Sequence, residues 1–181
     1  MARYRRFRKY TRRNRGRWSA NIQELGTTTI NVPAAAGAWS QTYTLAFNPT
    51  QVNTAVSQIY TVKNFEVSFE ISTDYGTSNV NSSVIEDITA YIMFVPQGMN
   101  ITTSYNLEHP EYIMAYKFIG SPTDDVVTSK AQVPKVRTRL SRKLNTGDSV
   151  ILFIKGNHTA ATDAIQPIEF HGLARWWTKA N

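Results

Sequence analysis

Tyr60-Thr-Val-Lys-Asn-Phe-Glu-Val-Ser-Phe-Glu-Ile-Ser-Thr73 carries the clearest alternation of apolar and polar residues in the chain. Successive side chains of an extended strand leave on opposite faces. Phe65, Val67, Phe69 and Ile71 therefore share one face, and Asn64, Glu66, Ser68 and Glu70 share the other. A strand with one apolar and one wet face belongs in an antiparallel sheet packed against a second layer.

The same reading extends outward. Trp39-Ser-Gln-Thr-Tyr-Thr-Leu-Ala-Phe47 alternates, placing Trp39, Tyr43, Leu45 and Phe47 on one face. Ile85 to Val95 is more continuously apolar, which predicts a strand covered on both sides. Asn145-Thr-Gly-Asp148 reads as a turn before the apolar Ser149–Lys155. Eight strands are expected, at about 25–32, 39–47, 60–73, 85–95, 112–119, 134–142, 149–155 and 168–178. No stretch has helical periodicity beyond a turn or two, so the expected fold is an all-β antiparallel sandwich.

Ahead of these strands lies a segment of different composition, Met1-Ala-Arg-Tyr-Arg-Arg-Phe-Arg-Lys-Tyr-Thr-Arg-Arg-Asn-Arg-Gly-Arg17. It holds eight arginines, one lysine and no acid, and the first carboxylate of the chain is Glu24. The chain has 20 basic and 13 acidic residues, so without the arm's nine it would hold 11 against 13, and the net charge of +7 belongs to the arm. Such charge density cannot bury a core, which predicts disorder until a polyanion is met. The expected division is an arm over 1–20 and a folded domain over 21–181.

Arginine grips phosphate with a planar fork, and aromatic rings set between cations suit the exposed bases of a single strand. The candidate nucleic-acid-binding residues are therefore Arg3, Tyr4, Arg5, Arg6, Phe7, Arg8, Lys9, Tyr10, Arg12, Arg13, Arg15, Arg17 and Trp18. The same residues could serve as a nuclear-import signal. A transit peptide is disfavoured, because the arm has no Leu, Ile or Val and its first Ser is Ser19. A second basic cluster spans Pro134 to Lys143, with Lys130 just ahead of it and Arg137 and Arg139 on one face of a strand. It has two readings, a solvated or aggregation-guarding face, or a second nucleic-acid surface.

Composition narrows the remaining classes. There is no Cys, so disulfides and thiolate metal sites are excluded. No apolar run approaches the ~20 residues of a membrane helix, so no membrane insertion is expected. His109, His158 and His171 lack metal-ligand spacing, which leaves no expected metal or cofactor. Gly147-Asp148-Ser149 superficially suggests a hydrolase nucleophile, but it lies in the turn. Glu86-Asp87 and Asp124-Asp125 are neighbours that face opposite ways in a strand and are solvated in a turn; a cation site between subunits is the lesser reading. No catalytic constellation emerges, and a non-enzyme is expected.

An arginine–aromatic arm, a cysteine-free eight-strand domain and no visible chemistry together resemble the capsid proteins of circovirus-like, circular single-stranded DNA viruses. Val95-Pro-Gln-Gly98, His109-Pro-Glu-Tyr-Ile-Met-Ala-Tyr-Lys-Phe-Ile-Gly120 and Arg139-Leu-Ser-Arg-Lys-Leu-Asn-Thr-Gly-Asp148 are similar to segments of such capsids. The resemblance implies a single jelly roll and an icosahedral shell of about 60 copies. It also implies an arm lying on packaged single-stranded DNA, assembly in the host nucleus through import receptors, and residence in the virion. The arm's chemistry accepts RNA equally well. It is shorter than in many members of that family, a difference that bears on import. The alternative from residues alone is a non-capsid nucleic-acid-binding β protein acting as a monomer or small oligomer.

Overall fold

In the computed structural model the described residues are 17–49, 59–73, 85–121, 133–160 and 165–180. Eight strands run through them: β1 (Ser19–Val32), β2 (Gly37–Phe47), β3 (Tyr60–Thr73), β4 (Ile85–Val95), β5 (Ile113–Gly120), β6 (Lys135–Leu144), β7 (Ser149–His158) and β8 (Gln166–Ala180). Helix α1 (Tyr105–Glu108) and the 3-10 turn Pro110–Tyr112 are the helical elements among these residues. The expected strands appear in place. β1 starts earlier than expected, so Ser19 and Ala20 are strand residues.

The strands form two four-stranded sheets, ordered β1-β8-β3-β6 and β2-β7-β4-β5. The pairings β1 with β8, β2 with β7, β3 with β6 and β4 with β5 are all antiparallel. The chain is thus a long hairpin of four strand pairs rolled so that alternate pairs fall in opposite layers. This is a single jelly roll.

The core lies between the sheets because each contributes its apolar set to that gap. Val67, Phe69 and Ile71 of β3 meet Ile88, Ala90 and Ile92 of β4 in one buried cluster. Tyr43 of β2 stacks on Phe170 of β8 at 4.5 Å between ring centroids, which ties the layers together. Trp39 lies against Gly156, where an added Cβ would sit 2.5 Å from its ring.

β4 is covered on both faces over Ile88–Val95, as its composition predicts, and β7 is covered on both faces as well. Met93, Val95, Ile151 and Phe153 pack with Tyr105 in a second cluster on the far side of the β2-β7-β4-β5 sheet. The covering residues come from Met99, Tyr105, Tyr112 and Ile113, so the connection from β4 to β5 is a lid on that sheet. The β1-β8-β3-β6 sheet has no such cover among the described residues. Its outer face carries half-exposed and exposed side chains.

Three faces differ from the alternation. Phe47 is 54% exposed instead of sharing the face of Leu45. The β2–β7 register shifts between Thr44 and Ala46, and the extra β2 residue turns Ala46 inward and Phe47 outward. Leu140 is 53% exposed, although Val136 on its side of the pattern is buried. It lies where the β3–β6 register shifts between Lys63 and Phe65, across from Asn64 at φ 53°. Glu86 and Asp87 are both exposed, because Asp87 has φ 56° at a register shift in β4.

One end of the roll is held by a polar staple. The buried Asp148 carboxylate accepts hydrogen bonds from the Gln97 backbone N–H at 3.0 Å, the Asn145 backbone N–H at 2.9 Å and Asn145 Nδ2 at 3.1 Å. Asn48 Nδ2 donates to the Leu144 carbonyl at 2.9 Å, and the Gly147 N–H donates to the Asn48 carbonyl at 2.7 Å. The Gly147-Asp148-Ser149 motif is therefore a turn, with Gly147 at φ 86° supplying the left-handed residue it needs.

Candidate nucleic-acid interface

The open outer face of the β1-β8-β3-β6 sheet can be read row by row from the strand register. Ile22, Arg175, Glu66 and Arg137 lie side by side across the four strands. The next row toward the arm holds Ala20, Trp177, Lys63 and Ser141, with Lys179, Thr61 and Lys143 beyond it. In the other direction come Glu24, Leu173, Ser68 and Lys135. Arg139 sits at the register shift between the first two rows.

This half of the sheet carries Lys63, Lys135, Arg137, Arg139, Lys143, Arg175 and Lys179, against Glu24 and Glu66. Farther along the same face, acids return at Glu70 and Glu169, paired with His171 and Thr29 in the register. The face is therefore electrically polar, basic at the arm end. Arg175 Nη2 is 3.0 Å from Glu66 Oε2, an ion pair whose Arg side chain is 64% exposed. Arg137 stands opposite Glu66 on its other side.

Ile22, Arg137, Arg139, Arg175 and Trp177 line an open depression of about 790 Å³ on this face. Trp18, just before β1, lies under the Lys63 ammonium, which is 3.9 Å from its ring centroid. That cation–π contact seats Trp18 on the basic half of the sheet.

Of the candidate residues, Arg3, Tyr4, Arg5, Arg6, Phe7, Arg8, Lys9, Tyr10, Arg12, Arg13 and Arg15 lie outside the described residues. Arg17 is exposed and Trp18 half-buried. Arg137 and Arg139 are exposed on β6, an edge strand. The structure brings Trp18, Arg137 and Arg139 to one face. Arg142 leaves the basic cluster, because its Nη2 donates to the Glu111 carbonyl at 3.0 Å and its guanidinium lies 5.6 Å from the Phe94 ring. It braces the lid instead.

Lys63, Arg175, Trp177 and Lys179 were missed by composition, which finds runs rather than faces. The signal was present: Leu173, Arg175, Trp177 and Lys179 fall at every second position of β8. The neighbouring Trp176 occupies the opposite face, buried and stacked with Phe65 at 6.0 Å.

The histidines form no site. His171 hydrogen-bonds Thr27, His109 pairs with Glu111 at 3.2 Å, and buried His158 donates Nδ1–H to the Ala35 carbonyl at 3.2 Å. Among the described residues, no group of His, Asp and Glu is placed to hold a metal ion. Asp124 and Asp125 lie outside them. Also among these residues, no helix is long and apolar enough to cross a membrane.

No protein-family model matches the chain, and no curated protein matches it. Among solved structures it is similar to the single-particle structure of Maize Chlorotic Mottle Virus, at 10% sequence identity and a TM-score of 0.32. The match spans 89% of this chain and 94% of that one, a likeness too slight to bear on function.

Proposed function

We propose that this protein is a non-enzymatic coat protein that assembles with copies of itself and packages single-stranded nucleic acid, DNA by its circovirus-like resemblance. The observation that carries the reading is the seat of Trp18 on Lys63, which sets the root of an arm of nine basic residues on the basic half of a sheet face. Arm and face then form one continuous polyanion-binding surface. In a closed shell, that face is the one to line the interior, and the lidded sheet turns away from it.

Binding proceeds by phosphate neutralisation and counterion release, without reading sequence. Nine arm contacts give a slope of log K against log salt of at most about −6 on single strands. A shell of about 60 subunits gathers on the order of 540 arm charges in one cavity, so shell closure and genome binding depend on each other. The same arginines serve import into the host nucleus before assembly.

Deletion of residues 1–17 tests the reading. The truncated protein is expected to fold and to lose co-purifying nucleic acid. Nucleic acid retained at moderate salt would overturn the arm's role and shift it to the sheet face.

A further inference from the structure

We propose that Trp177 is a stacking platform for an unpaired nucleobase, with Arg139 nearby to hold a flanking phosphate. This rests on the nucleic-acid reading above and adds to it a requirement for a base. The starting observation is an indole in an unfavourable place. Trp177 is 42% exposed on the open face of an interior strand, whereas Trp176 beside it is buried. Apolar surface left in water is unfavourable, and a large ring set among cations calls for a partner.

The surroundings say which partner. On the β1 side its row neighbour is Ala20, too small to cover the ring. On the β3 side it is Lys63, already engaged by Trp18. Two residues along β8 the same face carries Arg175, held by Glu66, and across β3 lies Arg139; these three line the depression of about 790 Å³ with Trp177, and with Arg137 they leave it net positive. That volume is in the ~300–1,000 Å³ range of small-ligand sites, and its openness suits a base that enters still tethered to its strand. Charge complementarity favours an anion, and the flat exposed ring favours a π-face. A single-stranded nucleic acid supplies both, whereas a duplex keeps its base faces stacked internally. An anionic lipid surface would match the charge but gains nothing specific from a ring in a sheet face flanked by arginines.

The test uses the full chain and two labelled oligonucleotides of about 12 nucleotides, one of thymidines and one abasic with the same phosphates. The wild type is expected to bind the thymidine probe about tenfold more tightly than the abasic one. Trp177→Leu should lower that ratio toward what the arm's own aromatic rings supply and leave abasic affinity and its salt slope unchanged, and Trp177→Phe should lower it less. An unchanged ratio in Trp177→Leu overturns the platform, as does an equal fall on both probes in both variants, which would mean packing. Trp177-dependent binding to phosphatidylserine vesicles without base preference overturns it in favour of a lipid surface. If the wild type binds both probes equally with steep salt dependence, the platform falls together with base stacking by the arm, and phosphate binding stands. If it binds neither, the nucleic-acid reading falls with it.

Discussion

Glu66→Gln should strengthen nucleic-acid binding, the opposite of what most surface substitutions at a binding site do. Glu66 sits between Arg137 and Arg175 in the row across β6, β3 and β8, and holds the Arg175 guanidinium at 3.0 Å. Removing its charge frees one cation for phosphate and removes one repulsive carboxylate. One added contact on a single strand steepens the log K against log salt slope by about 0.7. At 0.1 M salt this is about a fivefold gain in affinity. The stability cost should stay below about 1 kcal/mol, because the Arg175 side chain is 64% exposed and solvent screens the pair. Fluorescence polarisation with a labelled single-stranded oligonucleotide, titrated at several salt concentrations, reads both quantities. Unchanged or weaker affinity with an unchanged slope would refute the assignment of this face to nucleic acid.

Two further outcomes concern the fold. Asp148→Ala strips the acceptor from three donors at the end of the roll and should cost about 3 kcal/mol, read as a lower urea midpoint. A loss under about 0.5 kcal/mol would mean that the staple is solvated. Burial of this lid residue against the sheet, with Tyr112 and Glu111 nearby, pushes the Tyr105 phenol up to about 12, from 10.0. The raised group binds its proton more tightly in the folded state, so its stabilisation is complete below pH 10 and is lost as pH rises toward 12. Tyr105→Phe should flatten stability over that window, and an unaltered alkaline profile would contradict the burial.

The layer architecture was legible because strand alternation is a local property. Phe65 to Ile71 shows a half-buried strand without any knowledge of its partners, and the largely apolar β4 announces cover on both faces. The departures arise where pairing partners far apart in sequence slip by one residue. Phe47 and Leu140 carry no local mark of the shifts that expose them. Asn64 and Asp87 are residue types that tolerate positive φ, a faint sign visible only in retrospect. The arm is plain in composition, but the face that receives it is assembled from β1, β3, β6 and β8. No single stretch contains it, and only the order of the sheet sets Lys63 beside Trp177 and Glu66 between two arginines.

The most direct test of the central claim is nuclease protection combined with electron microscopy of the purified full-length protein. The account predicts closed particles that hold single-stranded nucleic acid resistant to nuclease, with both particles and protection lost when residues 1–17 are deleted. A monodisperse monomer whose nucleic acid is fully digested would contradict it.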